Sequence, residues 1–299
     1  MGGRIVRAFA ILTFTFALFC GFTAQAQTVD DLEKRADIEF AKPHGVSLKL
    51  DAYLQKGPGP HPSIVYVHGG GFVSGDKTGM SKQYCNPLVE VGFSVVSVNY
   101  RLAPKHPFPA APDDVQAGIA YIKKNAKSLR IDPNKLVLMG ESAGGLLSAY
   151  AGANYRPGNK VAAVVPFYGE HDLMIRSTEE PCFMDGKAFP KPKGGCISGG
   201  LAAYLGFKEV TSENYKILKD ASTVAHVHKD MPPYLLVHGT RDYGIPYEQS
   251  VQLQQVMQFA GAECDLIAIV GGGHGGWNKP EHQHYKKTMV EWVLARVKP

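Results

Sequence analysis

The sequence predicts an α/β fold: a mostly parallel, doubly wound sheet with helices on both faces. Three observations carry this expectation. Short apolar runs recur along the chain and alternate with segments of helical spacing, the pattern of parallel strands joined by crossover helices. One such run, residues 135–139 (Lys-Leu-Val-Leu-Met), passes through Gly140-Glu141-Ser142-Ala143-Gly144 into a helical segment of small residues and leucine, 143–150. And 299 residues, 44% hydrophobic and 20% charged, suffice for one large core of this kind.

Each element follows from its residues. The first 26 read as a secretory signal: Arg4 and Arg7 form the positive end, residues 8–19 the apolar stretch, and Ala24-Gln25-Ala26 the small-x-small cleavage site. The apolar stretch is short for a membrane span. Cys20 follows the bulky Phe19, where a lipoprotein site wants a small residue. Cleavage after Ala26 is therefore expected, with a retained N-terminal anchor as the alternative. Residues 27–299 then form the folded domain, secreted or periplasmic, with no stable membrane insertion after cleavage.

Residues 47–53 alternate apolar and polar side chains, as an early antiparallel strand does. After a turn at 58–62, residues 63–67 form a buried strand that ends at His68-Gly69-Gly70-Gly71-Phe72. Residues 93–99 are a third strand, leading into Tyr100-Arg101-Leu102-Ala103-Pro104. Helical spacing over 112–126 places Val115, Ile119 and Ile122 on one face. Residues 161–168 are another strand. From 169 to about 230 the pattern breaks into Gly, Pro and charged residues, and the segment reads as an insertion covering a pocket, at about 170–230. Order returns with a strand at 233–238, a helix at 246–261 opened by Pro246, a last strand at 264–270 and a closing helix at 282–297.

Charge and cysteines narrow the function classes. The net charge is +5, and Arg4 and Arg7 are the only charged residues of the leader, so the remainder carries +3. That excess is spread along the chain, with no basic cluster denser than 187–193, and argues against a nucleic-acid partner. Outside the leader stand Cys85, Cys182, Cys196 and Cys264. In an oxidising compartment three pairings are open. Cys182 with Cys196, which bracket a Pro/Gly/Lys-rich stretch, is the favoured one; the other two read as buried thiols. No cysteine spacing suits a metal. His226-x-His228 and His282-x-His284 match no metal motif and read as surface residues, so neither metal nor cofactor is expected.

The chemistry gathers around Ser142. A serine between a strand and a helix sits on a tight turn, exposed above the sheet, and glycines at 140 and 144 keep side chains from colliding with backbone there. A serine hydroxyl becomes a useful nucleophile only when a neutral imidazole takes its proton and a carboxylate holds that imidazole in the right tautomer. Asp242 follows the strand at 233–238, 100 residues beyond Ser142, and His274 lies 32 residues further on, in Gly271-Gly272-Gly273-His274-Gly275-Gly276. Nucleophile, acid, histidine is the chain order such a sheet uses. Asp265 is a rival acid, at the start of a strand and hence at the wrong edge of the sheet. In His68-Gly69-Gly70-Gly71, glycines let backbone N–H groups turn inward toward a developing oxyanion. Gly70, Gly71 and Ala143 are the expected donors. Phe72, Tyr168, Phe183 and Trp277 are candidates for an acyl site.

With these residues in place, the chain resembles the α/β-hydrolase superfamily. His68-Gly69-Gly70-Gly71 and Gly140-Glu141-Ser142-Ala143-Gly144-Gly145, with the Tyr100–Pro104 and Phe108–Ala111 stretches, are similar to hormone-sensitive-lipase-like esterases. The later half is similar to secreted bifunctional feruloyl and acetyl-xylan esterases, through Ala221-Ser222-Thr223-Val224, Lys229-Asp230-Met231-Pro232-Pro233, His238-Gly239-Thr240-Arg241-Asp242 and Pro246-Tyr247-Glu248-Gln249-Ser250. The resemblance covers most of 45–297 and implies a serine carboxylesterase acting on small-molecule or carbohydrate-linked esters, with acetyl and feruloyl esters in view. The Gly-rich, Cys-bracketed segment at 181–200 departs from the pattern. So does the short stretch before the first strand, which leaves little for an N-terminal helical cap. A serine peptidase of the same superfamily and a catalytically inactive secreted binding protein are the alternatives. The acyl chain, the alcohol and the oligomeric state stay open at this point.

Overall fold

The computed structural model describes residues 26–176, 182–184, 187–189, 197 and 199–297. The leader through residue 25 and the Cys182–Cys196 pairing lie outside the described residues, as does the Phe183 side chain. Among the described residues no helix is long and apolar enough to cross a membrane.

Among the described residues eight strands form one sheet, and β7 (Cys182–Met184) pairs antiparallel with β8 (Lys187–Phe189) as a separate two-stranded sheet. In chain order the sheet strands are β1 (Glu33–Ala41), β2 (Leu48–Leu54), β3 (His61–Val67), β4 (Ser94–Val98), β5 (Ile131–Glu141), β6 (Ala163–Phe167), β9 (Tyr234–Gly239) and β10 (Cys264–Ile269). Their order across the sheet is β1-β2-β4-β3-β5-β6-β9-β10. The first two join antiparallel, and β4 through β10 run parallel, as expected of buried apolar runs.

Alternation along the strands sends side chains into two cores. On one face Val65, Val67, Leu136, Leu138 and Leu236 pack under the helices α2 (Ala110–Lys124), α4 (Ala143–Ala153) and α8 (Glu248–Phe259). On the other, Ile64, Tyr66, Val137, Met139 and Val237 pack under α1 (Lys82–Val89) and α9 (His284–Arg296). Helices therefore cover both faces. At the edge of α2, the Arg101 guanidinium makes a buried fork with Asp114, Nε and the NH2 nitrogen each donating at 2.8 Å. This fork fixes the chain as it leaves β4.

Three elements differ from the expectation. The sheet begins one strand earlier, at β1, because Glu-Lys-Arg-Ala-Asp-Ile-Glu-Phe-Ala lies on the sheet edge, half exposed, and carries no apolar run. A bulge between Arg35 and Ile38 further breaks its alternation. Helix α1 was equally illegible, being short and interrupted by Pro87. And 169–230 is not merely irregular. Besides the β7–β8 pair it holds α5 (Leu173–Arg176), α6 (Gly199–Leu205) and α7 (Tyr215–Ala221), all short, with α6 burying Leu201, Tyr204 and Leu205. A four-residue helix, α3 (Ala126–Leu129), leads into β5.

Candidate active site

Ser142 stands between β5 and α4 with φ 55° and ψ −121°, a conformation that costs a non-glycine residue about 1–3 kcal/mol. Packing enforces it. A β-carbon on Gly140 would lie 2.2 Å from the Gly144 carbonyl oxygen, and one on Gly144 would lie 2.1 Å from that of Val67. Only glycines admit this approach, and the Ser142 N–H donates to Phe167 of the neighbouring strand at 3.0 Å.

The loops after β9 and β10 bring the partners. Ser142 Oγ lies 2.9 Å from His274 Nε2, and His274 Nδ1 lies 2.7 Å from Asp242 Oδ2. The other carboxylate oxygen, Oδ1, accepts the N–H groups of Gly244 (2.8 Å) and Ile245 (2.9 Å). Arg241 N–H donates to the Gly272 carbonyl at 2.8 Å, tying the acid-bearing loop to the histidine-bearing one, and within the latter Trp277 Nε1–H donates to the Gly273 carbonyl at 2.9 Å. The Asp242 side chain is fully buried while His274 is 37% exposed. Burial opposes ionisation of Asp242, yet the neighbouring imidazoles of His238 and His274 and the Ile245 N–H outweigh it and hold the carboxyl well below the usual range.

Residues 68–71 close the site. His68 stacks on Tyr100 with ring centroids 4.3 Å apart, and Tyr100 O–H donates to the His68 carbonyl. The Gly70 carbonyl accepts from Val73 N–H, Ser74 N–H and Ser74 Oγ, which ties down the turn. Gly70 lines the pocket with Ser142 and His274; Gly71 sits against Gly200 of α6, where a β-carbon would lie 2.4 Å from the Gly71 carbonyl oxygen. Ala143 is the first residue of α4, where helical N–H groups have no intrahelical acceptor. The pocket holds about 280 Å3, and its walls also include His68, Gly69, Glu141 and Tyr168.

Of the acyl-site candidates, Tyr168 lines this pocket and meets the His274 ring edge-on at 4.7 Å. Phe72 is buried against Tyr204 and Trp277 is buried beneath the histidine loop, both as core. Asp265 is exposed and accepts Trp292 Nε1–H, remote from Ser142 at the start of β10. The histidine pairs are less superficial than expected: His282 is buried, and His226 and His228 are half-buried, bonded to the carbonyls of Asp220 and Ala153. Among the described residues no cluster of three metal-binding side chains exists.

Sequence reading missed three residues. Glu141 accepts Tyr168 O–H at 2.7 Å, and His238 directs Nε2–H at the Ile245 carbonyl (3.0 Å) while lying 3.3 Å from Asp242 Oδ2. His238 thereby fastens the turn whose N–H groups grip Asp242. Its only sequence signal was the spacing of four residues to the acid. The third is His171, fully buried, with neither ring nitrogen hydrogen-bonded among the described residues.

His171 predicts an acid-sensitive fold. Burial, reinforced by His238, pulls its pKa down to about 3. The unfolded chain protonates this ring near ~6.5, so between those values the folded state binds fewer protons. Its contribution is complete above about 6.5 and falls as pH drops toward 3, by roughly 1–2 kcal/mol per pH unit. Urea midpoints should decline between pH 7 and pH 5, and His171→Leu should flatten that slope. An undiminished slope in the variant would assign the loss to other groups.

Comparison with known proteins agrees with this architecture. The BD-FAE family matches residues 50–257. Esterase LipC of Mycobacterium tuberculosis is 29% identical over 229 residues, covering 72% of this chain and 53% of that protein. The chain spans about half the length of the curated relatives it matches first. Among solved structures, a truncated carbohydrate esterase from gut microbiota superposes with a TM-score of 0.73 at 28% identity, covering 89% of this chain and 97% of that one. The bifunctional GH43-CE protein of Bacteroides eggerthii reaches a TM-score of 0.72 at 23% identity, over 89% of this chain and 38% of that one. With the sheet, its helices and a family match over most of its length, the chain belongs to the BD-FAE family and has the α/β-hydrolase fold.

Proposed function

We propose that the protein is a secreted serine carboxylesterase that cleaves short acyl or aryl esters through an acyl-enzyme on Ser142. The observation that carries this reading is the unbroken chain of contacts from Ser142 Oγ through His274 to a buried, ionised Asp242. Ser142 Oγ attacks the ester carbonyl carbon as His274 Nε2 takes its proton. The N–H groups of Gly70, Gly71 and Ala143 receive the negative charge that develops on the carbonyl oxygen. Collapse breaks the bond to the alcohol, which leaves with the proton from His274. Water then attacks the acyl-serine, His274 again taking and returning a proton, and the carboxylic acid departs.

A pocket of about 280 Å3 supports small acyl groups, since it lies below the roughly 300–1,000 Å3 typical of ligand sites. Likeness to a carbohydrate esterase over nearly all of that chain supports carbohydrate-linked acetyl or feruloyl esters as natural substrates. Contact between Gly200 and Gly71 supports a share for the 170–230 insertion in covering the site. The leader ending at Ala26 supports a secreted or periplasmic location.

The test is a chain-length series of aryl esters run beside acetylated xylan and methyl ferulate. Turnover should peak at acetyl to butyryl and fall at least tenfold by octanoyl. Xylan or ferulate turnover near that of the best aryl ester identifies a polysaccharide esterase; failure on every ester by folded protein overturns the reading.

A further inference from the structure

We propose that Glu141 makes the Ser142 pocket selective by charge, admitting neutral, hydroxyl-bearing and cationic esters and rejecting anionic ones. This deepens the esterase reading and rests on it.

The pocket's described walls carry one carboxylate and neither lysine nor arginine. Glu141 is the residue immediately before Ser142, and its side chain lies beside Gly69, on which a β-carbon would sit 3.4 Å from both Glu141 Cγ and Ser142 Cβ. The polarity of its contacts is fixed. Tyr168 O–H donates to Glu141 Oε2 at 2.7 Å, which spends the only proton that phenol has. Tyr84, 3.0 Å from the Tyr168 hydroxyl, must therefore donate to it. Both hydroxyl protons thus point toward the carboxylate.

His68, in the same wall, adds no compensating positive charge. Its Nδ1 lies 2.7 Å from the Gly69 carbonyl, which only accepts, so the proton sits on Nδ1 and Nε2 carries a lone pair. The ring is 1% exposed, and Nε2 has no hydrogen-bond partner among the described residues. Burial pulls the His68 pKa down, which keeps the ring neutral. A substrate group here therefore meets one negative carboxylate with no lysine or arginine beside it. Alcohol hydroxyls and cations satisfy that carboxylate, and a carboxylate on the substrate is repelled by it.

Two substrate pairs test this, each differing in charge at nearly constant size. On the acyl side, 4-nitrophenyl butyrate is compared with the mono-4-nitrophenyl ester of succinate; on the alcohol side, choline acetate with 3,3-dimethylbutyl acetate. The wild type should favour the neutral acyl ester and the cationic alcohol ester. Glu141→Gln, isosteric and still able to accept Tyr168 O–H, should shift at least one of the two kcat/KM ratios about tenfold toward parity. Each ratio is internal to one protein, so a loss of folded fraction cancels from it. In the wild type, raising ionic strength should narrow the same ratio. Ratios within twofold of wild type in Glu141→Gln, while the neutral esters turn over, would overturn the charge selectivity alone. Failure of the folded wild type to hydrolyse either neutral ester would overturn the esterase reading with it.

Discussion

Replacing Ser142 by alanine should lower kcat on the best aryl ester by about 10⁴–10⁶-fold, the range seen when an activated serine is removed. No other described hydroxyl stands in the same relation to His274, whose Nε2 is 2.9 Å from Ser142 Oγ. The strained turn should survive the change, because its shape is imposed by close packing at Gly140 and Gly144 and by the Ser142 N–H bond to Phe167. Alanine keeps that N–H and the β-carbon. Thermal unfolding of the variant should thus fall within about 1 kcal/mol of wild type, as for substitutions that remove neither core volume nor a buried polar partner. Residual turnover above a few per cent, from protein free of wild-type contamination, would falsify the nucleophile assignment.

Asp242→Asn should reduce kcat by roughly 10³–10⁴-fold while leaving KM within a few-fold, because it inverts the histidine tautomer. Oδ1 of Asp242 accepts two backbone N–H groups, from Gly244 and Ile245. An asparagine there must keep its carbonyl oxygen at that position, since an amide nitrogen would face two donors. The NH2 group is then forced toward His274 Nδ1, which has to present a lone pair. The ring proton moves to Nε2, where it points at Ser142 and cannot accept the hydroxyl proton. Steady-state kinetics on one short aryl ester measures this, and a kcat within tenfold of wild type would show that Asp242 does not set the tautomer. Asp242→Ala leaves an exposed route for water to the ring and should be less informative on this point.

The order of the candidate site residues along the chain was legible because the topology of such a sheet sets it. A serine flanked by close-packing glycines, an acid after one strand and a histidine after the next each carry a local signature at a strand end. The six parallel strands were equally legible, since strands buried on both faces read as unbroken apolar runs. β1 was not, because an edge strand buries too little to leave an apolar signal. Nor were α6 and α7, whose few buried residues become meaningful only against the elements they cover, as Tyr204 does against Phe72.

What the sequence by itself determined is therefore the parallel part of the sheet, its direction and the identity of the candidate site residues. Tertiary structure alone decided how those side chains are held. Gly244 and Ile245 grip the Asp242 oxygen turned away from His274, and His238 approaches the one that faces it. Tyr84 and Tyr168, 84 residues apart, align their hydroxyls on Glu141. The Gly239 loop nests against Gly272 and Gly273 across two strands. Such contacts join residues distant in sequence and use side chains with no periodicity of their own. Burial and hydrogen-bond partnership are properties of the packed chain, so they appear only when β9, β10 and the elbow after β5 share one end of the sheet.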